Sequence, residues 1–212
     1  MKRLEINSID FKYAESSYAE IALQLAHLPW HDLEFANWSS QYPSNTQVKF
    51  QIAYQESQLF IHYKVQEEFI RANYIRANEN VWEDSCVEFF ISLDNRKTYY
   101  NFEFNVLGTG LIGYGTPVKS ERNRLTEDQI HQVDTYSEIK SIQGKKEWQL
   151  ILAIPFSLFS LNKQDIIGSN VHANFYKCGD KLPNPHFLSW SEVLSESPNF
   201  HLPEHFGELH FK

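Results

Sequence analysis

Apolar residues recur at every second position through most of this chain, and that period commits it to strands before any other property is weighed. Val48, Phe50, Ile52 and Tyr54 fall on one side of an extended segment, and Leu59, Ile61, Tyr63 and Val65 on one side of the next. Residues 85–93 set Val87, Phe89, Ile91 and Leu93 against Cys86, Glu88, Phe90 and Ser92. Residues 99–106 set Tyr100, Phe102, Phe104 and Val106 against Tyr99, Asn101, Glu103 and Asn105. Successive side chains of a strand point to opposite faces, so each segment has one face made for a core. Further strands are expected over 136–142, 147–154, 170–176 and 208–211.

Helix is scarce. Ser17-Tyr18-Ala19-Glu20 has the form of a capping box ahead of 21–28, where Pro29 ends the segment. A second short helix is expected over 126–133, and a single turn over 155–161. Many short strands separated by turns predict an all-β fold: an antiparallel β-sandwich of immunoglobulin-like or jelly-roll type, with one or two short helices. At 212 residues, without linkers or internal repeats, the chain reads as one domain over 1–212. Pro183, Pro185, Pro198 and Pro203 gather late and predict ordered loops at one end of the sandwich.

Composition narrows the partners. The net charge of −8 argues against a phosphate-backbone ligand, whereas neutral glycans make no demand on charge. Aromatic residues make up 15% of the chain, a share that suits both strands and the flat surfaces on which sugar rings pack. The basic start, Met1-Lys2-Arg3, has no apolar stretch behind it and no run is long enough to span a membrane. The sequence as written therefore reads as cytoplasmic; a periplasmic or secreted protein whose leader has been removed would read the same. Two cysteines cannot build a disulfide framework, and Cys86, inside an apolar strand, reads as a buried thiol.

Chemistry is expected on the polar strand faces. Asn101, Glu103 and Asn105 oppose a wholly apolar face, His172, Asn174 and Tyr176 oppose Val171, Ala173 and Phe175, and Glu88 interrupts a strand that is otherwise apolar on both sides. Amides, carboxylates and imidazole on a rigid sheet can grip sugar hydroxyls in pairs; the same alternation also describes the solvated face of a half-exposed sheet. Among the tryptophans, Trp148 and Trp190 sit in strand patterns that point to the core. Trp82 sits in a polar loop, where a ring can serve a ligand.

The stretch Val81-Trp82-Glu83-Asp84-Ser85-Cys86-Val87-Glu88-Phe89-Phe90-Ile91 resembles the signature of family 9 carbohydrate-binding modules. The likeness continues through Asn101-Phe102-Glu103-Phe104-Asn105, residues 167–174, Leu188-Ser189-Trp190-Ser191 and Phe206-Gly207-Glu208-Leu209. It implies a sandwich in which two aromatic rings clamp the terminal sugar of a glucan or xylan chain, without catalysis. By position the rings are Trp82 and Phe200, the latter where a xylanase-attached member has Trp. Glu88 matches a sugar-contacting Glu. Asn101 and His172 stand where that member has Gln, Ser197 where it has Asn, and Glu103 replaces an Arg, which reverses a charge. The resemblance also admits structural calcium, with Asp84 and Asp94 as unassigned acids and no EF-hand-type loop. Residues 174–186 are longer than in that member and are similar to family-9-like proteins found as separate chains.

Three other functions compete. Glu88 and Glu103 on neighbouring strands could form the acid and nucleophile of a glycosidase; no nucleophile elbow, phosphate loop or zinc spacing accompanies them. The sandwich could also be an interaction domain that has lost sugar binding. Fold relatives that hold haem use Met and His, but Met1 is the sole methionine, so a haem site here would need two histidines such as His172 and His186.

Overall fold

The computed structural model describes residues 2–11, 13, 16–161 and 163–212. Its strands, in chain order, are β1 (Arg3–Ile6), β2 (His31–Asp32), β3 (Gln47–Gln55), β4 (Gln58–Glu67), β5 (Cys86–Ser92), β6 (Tyr99–Asn105) and β7 (Gly110–Gly115). These are followed by β8 (Arg122–Arg124), β9 (Asp134–Ile142), β10 (Lys145–Pro155), β11 (Asn170–Cys178), β12 (Leu188–Ser189) and β13 (Gly207–Phe211). The larger sheet runs β1-β13-β11-β5-β6-β7-β8, with β12 added beside β11; the smaller runs β2-β3-β4-β10-β9. The fold is the expected β-sandwich; among the described residues β1 lies parallel to β13, the isolated Ser8–Tyr54 bridge is also parallel, and the remaining strand pairs are antiparallel.

The two sheets meet through the apolar sets that the alternation marks out. Val48, Phe50, Ile52 and Tyr54 pair across the β3–β4 hairpin with Val65, Tyr63, Ile61 and Leu59. They face Val87, Phe89, Phe102, Phe104 and Phe175 of the larger sheet in one continuous core. Phe50 stacks on Phe175 with ring centres 3.8 Å apart, and Trp190 meets both rings edge-on. Tyr63 reaches across from the smaller sheet to donate its hydroxyl to the backbone carbonyl of Glu88 at 2.8 Å.

One ion pair is buried in the same interlayer. Lys177 of β11 and Glu67 of β4 approach to 3.0 Å at essentially zero exposure, with His186 3.3 Å from the same carboxylate. Trp148 donates its indole N–H to the other Glu67 oxygen at 2.6 Å. Burial works against the Glu67 charge, but Lys177 and His186 outweigh it and hold the carboxyl down to about 2.

Among the described residues there are three short helices rather than one or two: α1 (Tyr18–Leu25), α2 (Glu127–Ile130) and α3 (Lys163–Ile166). Ser17 and Glu20 form the anticipated capping box on α1, and Thr126 with Gln129 forms another on α2. Spaced one turn apart, Ile21 and Leu25 bury against Ala53, Phe60, Ile151 and Ala153 on the outer side of the smaller sheet. The expected turn over 155–161 is a 3₁₀ segment at Phe156–Phe159. Strands β7 and β8 escape the alternation because Gly110, Gly113 and Gly115 thin out its apolar positions. Two of those glycines make room for neighbours: a Cβ on Gly110 would fall 2.3 Å from the Phe104 ring, and one on Gly113 2.5 Å from the Asn101 amide oxygen.

Trp148 and Trp190 are buried, at 0% and 3% exposure, as their strand patterns imply. Trp190→Ala should lower unfolding stability by about 3–5 kcal/mol, the usual cost of deleting a large core aromatic. Urea denaturation followed by circular dichroism reads this directly; a loss under about 1 kcal/mol would show that the ring is not part of the core.

Candidate functional site

The outer face of the larger sheet carries a grid of side chains fixed by strand register. Tyr176, Glu88, Glu103 and Leu111 lie in one cross-strand row over β11, β5, β6 and β7. The adjoining row is Asn174, Phe90, Asn101, Gly113 and Arg124, which ends on β8. The expectation of a solvated face does not hold here, because Glu88, Asn101 and Glu103 are 4%, 3% and 5% exposed. The reason is a second apolar cluster on this outer face, in which Phe90, Tyr99 and Tyr176 of the sheet pack under Trp38, Val81, Phe200 and Phe206.

Where that cover leaves a gap, a cleft of about 710 Å³ opens onto the polar row. Trp82, on the 3₁₀ turn Val81–Glu83, and Phe200 both line it, together with Phe187 and His201. Its floor and one side are Glu88, Asn101, Glu103, Cys178, Arg122 and Arg124. Phe200 is 8% exposed and lies flat on Tyr176 at 4.1 Å, so one face of its ring is already taken. Trp82 is half-buried, with the Arg124 guanidinium 5.9 Å from its ring centre.

The two carboxyls are direct cross-strand partners, which places their Cβ atoms roughly 5 Å apart. Burial pushes Glu88 well above the ordinary carboxylate range, and the neighbouring Cys178 and Glu103 add to the shift. Burial also raises Glu103, to about 7, against the Asn101 amide and the Arg124 and Arg122 charges that favour its ionised form. The Asn101 side-chain N–H donates to Glu103 at 2.8 Å, while the Asn101 oxygen accepts from Arg122. Arg122 also lies over the Tyr99 ring at 3.9 Å and donates to the carbonyls of Gly115 and Thr116. His201, paired with the Tyr99 hydroxyl at 2.8 Å, is driven down to about 4 by burial and by Arg122 and Lys119. It is therefore neutral near physiological pH.

Of the residues singled out from sequence, the cleft gathers Trp82, Glu88, Asn101, Glu103 and Phe200, but not His172, Asn174 or Ser197. Asn174 is fully committed elsewhere. Its N–H donates to the Ser191 carbonyl at 2.9 Å, and its oxygen accepts the amides of Ser191 and Phe175. His172 lies at the far end of β11, opposite Ser92 and Glu208, and Ser197 is exposed in the C-terminal segment. His172 and His186 do not face one another. His186 sits against Lys177, five residues and roughly 17 Å along the strand from His172, and Lys177 projects from the opposite face. Asp84 and Asp94 are engaged in ties between loops: Asp84 with the amides of Asn73 and Tyr74 and with Arg71, Asp94 with Ser92 and Thr98.

Arg122 and Arg124 were not anticipated. Their spacing around Asn123 is the one available signal, since period-two placement puts both on one face of a strand. They return positive charge to a site where Glu103, in place of the family's Arg, had been expected to remove it. Cys178, at the end of β11, and His201, in the C-terminal segment, were likewise invisible, because strand pairing and chain packing distant in sequence bring them in.

Rings beside convergent hydrogen-bonding groups, set on a rigid sheet face, define a ligand-binding β-sandwich suited to polyhydroxylated molecules. The sequence profile of carbohydrate-binding family 9 matches residues 17–211, and the chain belongs to that family. A proposed carbohydrate-binding protein from Bacteroides uniformis is 35% identical, with a TM-score of 0.90 over 100% of this chain and 99% of its own. Family 9 modules from Caldicellulosiruptor kristjanssonii, one in complex with glucose and one with cellotriose, share the fold at TM-scores of 0.61 and 0.60. They are 13% and 14% identical over 100% of this chain and 96% and 94% of their own. No curated protein matches the chain.

The raised Glu103 has a measurable consequence. Between its unfolded value near 4.5 and its folded value of about 7, the native state holds more protons than the unfolded state, so this group's contribution falls as pH rises. Glu103→Gln removes that penalty. The melting temperature of Glu103→Gln should exceed that of the native protein at about pH 8, and the gap should close by about pH 5. A gap of constant size across that range would show that Glu103 does not titrate there.

Proposed function

We propose that this protein holds the terminal sugar of a glucan- or xylan-type oligosaccharide and does not cleave it. The observation that carries this reading is the joint placement of Trp82, Phe200, Glu88, Asn101 and Glu103 around one cleft. An aromatic ring offers a flat surface to the C–H face of a pyranose, and the amide and carboxyls beside it can exchange hydrogen bonds with vicinal hydroxyls. The membership of family 9, and family 9 modules in complex with glucose and cellotriose, support the same ligand class.

Burial raises both Glu88 and Glu103. A protonated carboxyl can both donate and accept, which suits a hydroxyl-rich ligand.

Calorimetric titration with glucose, cellobiose, cellotriose and xylobiose tests the proposal. The native protein should bind at least one of them. Trp82→Ala should weaken that binding about tenfold or more, equivalent to about 1.4 kcal/mol, with little change in melting temperature. Absence of binding to all four would favour an interaction domain instead, and unfolding of Trp82→Ala would assign the ring to the core.

A glycosidase assay provides the second check. No reducing sugar should be released from glucans, xylans or aryl glycosides. Turnover that disappears in both Glu88→Gln and Glu103→Gln would convert the reading to an enzyme.

A further inference from the structure

Behind the aromatic entrance of the cleft, two thiols that sugar binding does not use stand beside Glu88, which it does. Cys86 on β5 and Cys178 on β11 are direct cross-strand partners. Glu88, two residues along β5, projects from the same face. Sγ of Cys86, Sγ of Cys178 and a carboxylate oxygen of Glu88 all lie within 4.8 Å of one another, and all three residues are buried. The Cys178 thiol approaches Glu88 Oε1 at 2.9 Å. Both cysteines are free.

We propose that Cys86, Cys178 and Glu88 form a binding site for a thiophilic divalent cation of the zinc or cadmium class. The donor set carries the choice of ion. Two thiolates and one carboxylate match the ligands that zinc accepts, and soft sulfur ligands disfavour calcium and magnesium, which take oxygen. Geometry supports it. Tetrahedral zinc with bonds of about 2.3 Å separates its sulfur ligands by about 3.8 Å, so donors gathered within 4.8 Å need only small side-chain rotations.

The ligands stand on two adjacent central strands, a rigid platform for a site that must keep its shape. Glu88 and Cys178 line the cleft, which supplies an entry path and leaves one coordination position facing it. On metallation the two thiols and the Glu88 carboxyl release their protons to solvent and the ion takes their place, with no change in oxidation state. The added negative charge is offset by cations already at hand. Lys177 acts on both thiols, and Arg122 borders the same cleft.

Cadmium titration of the reduced protein tests the site without reference to sugar. One equivalent should bring up the ultraviolet charge-transfer band of cadmium–thiolate bonds, and zinc should displace it. Cys86→Ser and Cys178→Ser should each abolish tight binding. Glu88→Gln, which is nearly isosteric and leaves the thiols in place, should weaken it about tenfold or more, in the range seen when a metal site's supporting carboxylate is lost. One equivalent of zinc should also raise the native protein's melting temperature, a readout that does not depend on any variant folding. The proposal is overturned if the native protein gives no band, if the band survives in either cysteine variant, or if the reduced thiols close to a disulfide in preference to taking up metal.

Discussion

Asn174 is the small side chain on which the rest of the outer face depends. A β-sandwich ordinarily leaves that face to water, but here residues 186–206 lie across it, and such a segment needs its backbone groups bonded. Asn174 bonds the backbone of Ser191 in both directions, and Asn37 performs a similar service by accepting the Val193 amide and donating to Ser189. Trp38 donates its indole N–H to the Ser195 carbonyl at 2.8 Å, and the Tyr176 hydroxyl reaches the carbonyl of Phe200. These ties hold one wall of the cleft in place. Without the wall, Glu88 and Glu103 would stand in water, with no reason for a raised affinity for protons.

The molecule treats its buried carboxyls in two opposite ways. Glu67, in the interlayer, has a lysine at 3.0 Å and remains charged, so it ties one sheet to the other. Glu88 and Glu103, on the outer face, have one another as cross-strand neighbours and no lysine or arginine in salt-bridge contact among the described residues. A paired carboxylate is spent on structure, whereas an under-satisfied carboxyl facing a cleft retains hydrogen-bonding capacity for a visitor. The difference separates framework from site more sharply than burial does, since all three residues are at most 5% exposed.

Much of this was legible in the sequence. Eight strands follow from a strict period of two, because inward positions such as Phe50, Phe89 and Phe175 had to be apolar to meet across the sandwich. The capping box at Ser17 is local chemistry, readable over four residues. The strands that escaped are short or glycine-diluted: β1, β2 and β12, and β7 and β8 at the cleft side of the sheet. Their pairing is decided by neighbours distant in sequence. Trp82, Glu88 and Glu103 were legible as a candidate group because they fall in or beside patterned strands. Asn174 carried the same outward signal as Asn101, and only tertiary contact separates the roles, one amide spent on a loop backbone and the other turned to Glu103 and Arg122. Arg122 and Arg124 come from a three-residue strand, too brief for periodicity to register.

The parallel pairing of β1 with β13 gives the domain a mechanical character. Arg3 lies beside Glu208 and Ile6 beside Phe211, so the chain enters at one end of this strand pair and leaves at the other. Tension applied through residues 2 and 212 therefore runs along the two strands. It loads their ladder bonds together, as a lap joint is loaded, whereas an antiparallel hairpin pulled at its ends opens one bond at a time like a zip. A module tethered by its ends to a moving partner would resist extension at this seam, while the cleft, on β11 and β5 to β8, would lie to one side of the line of force.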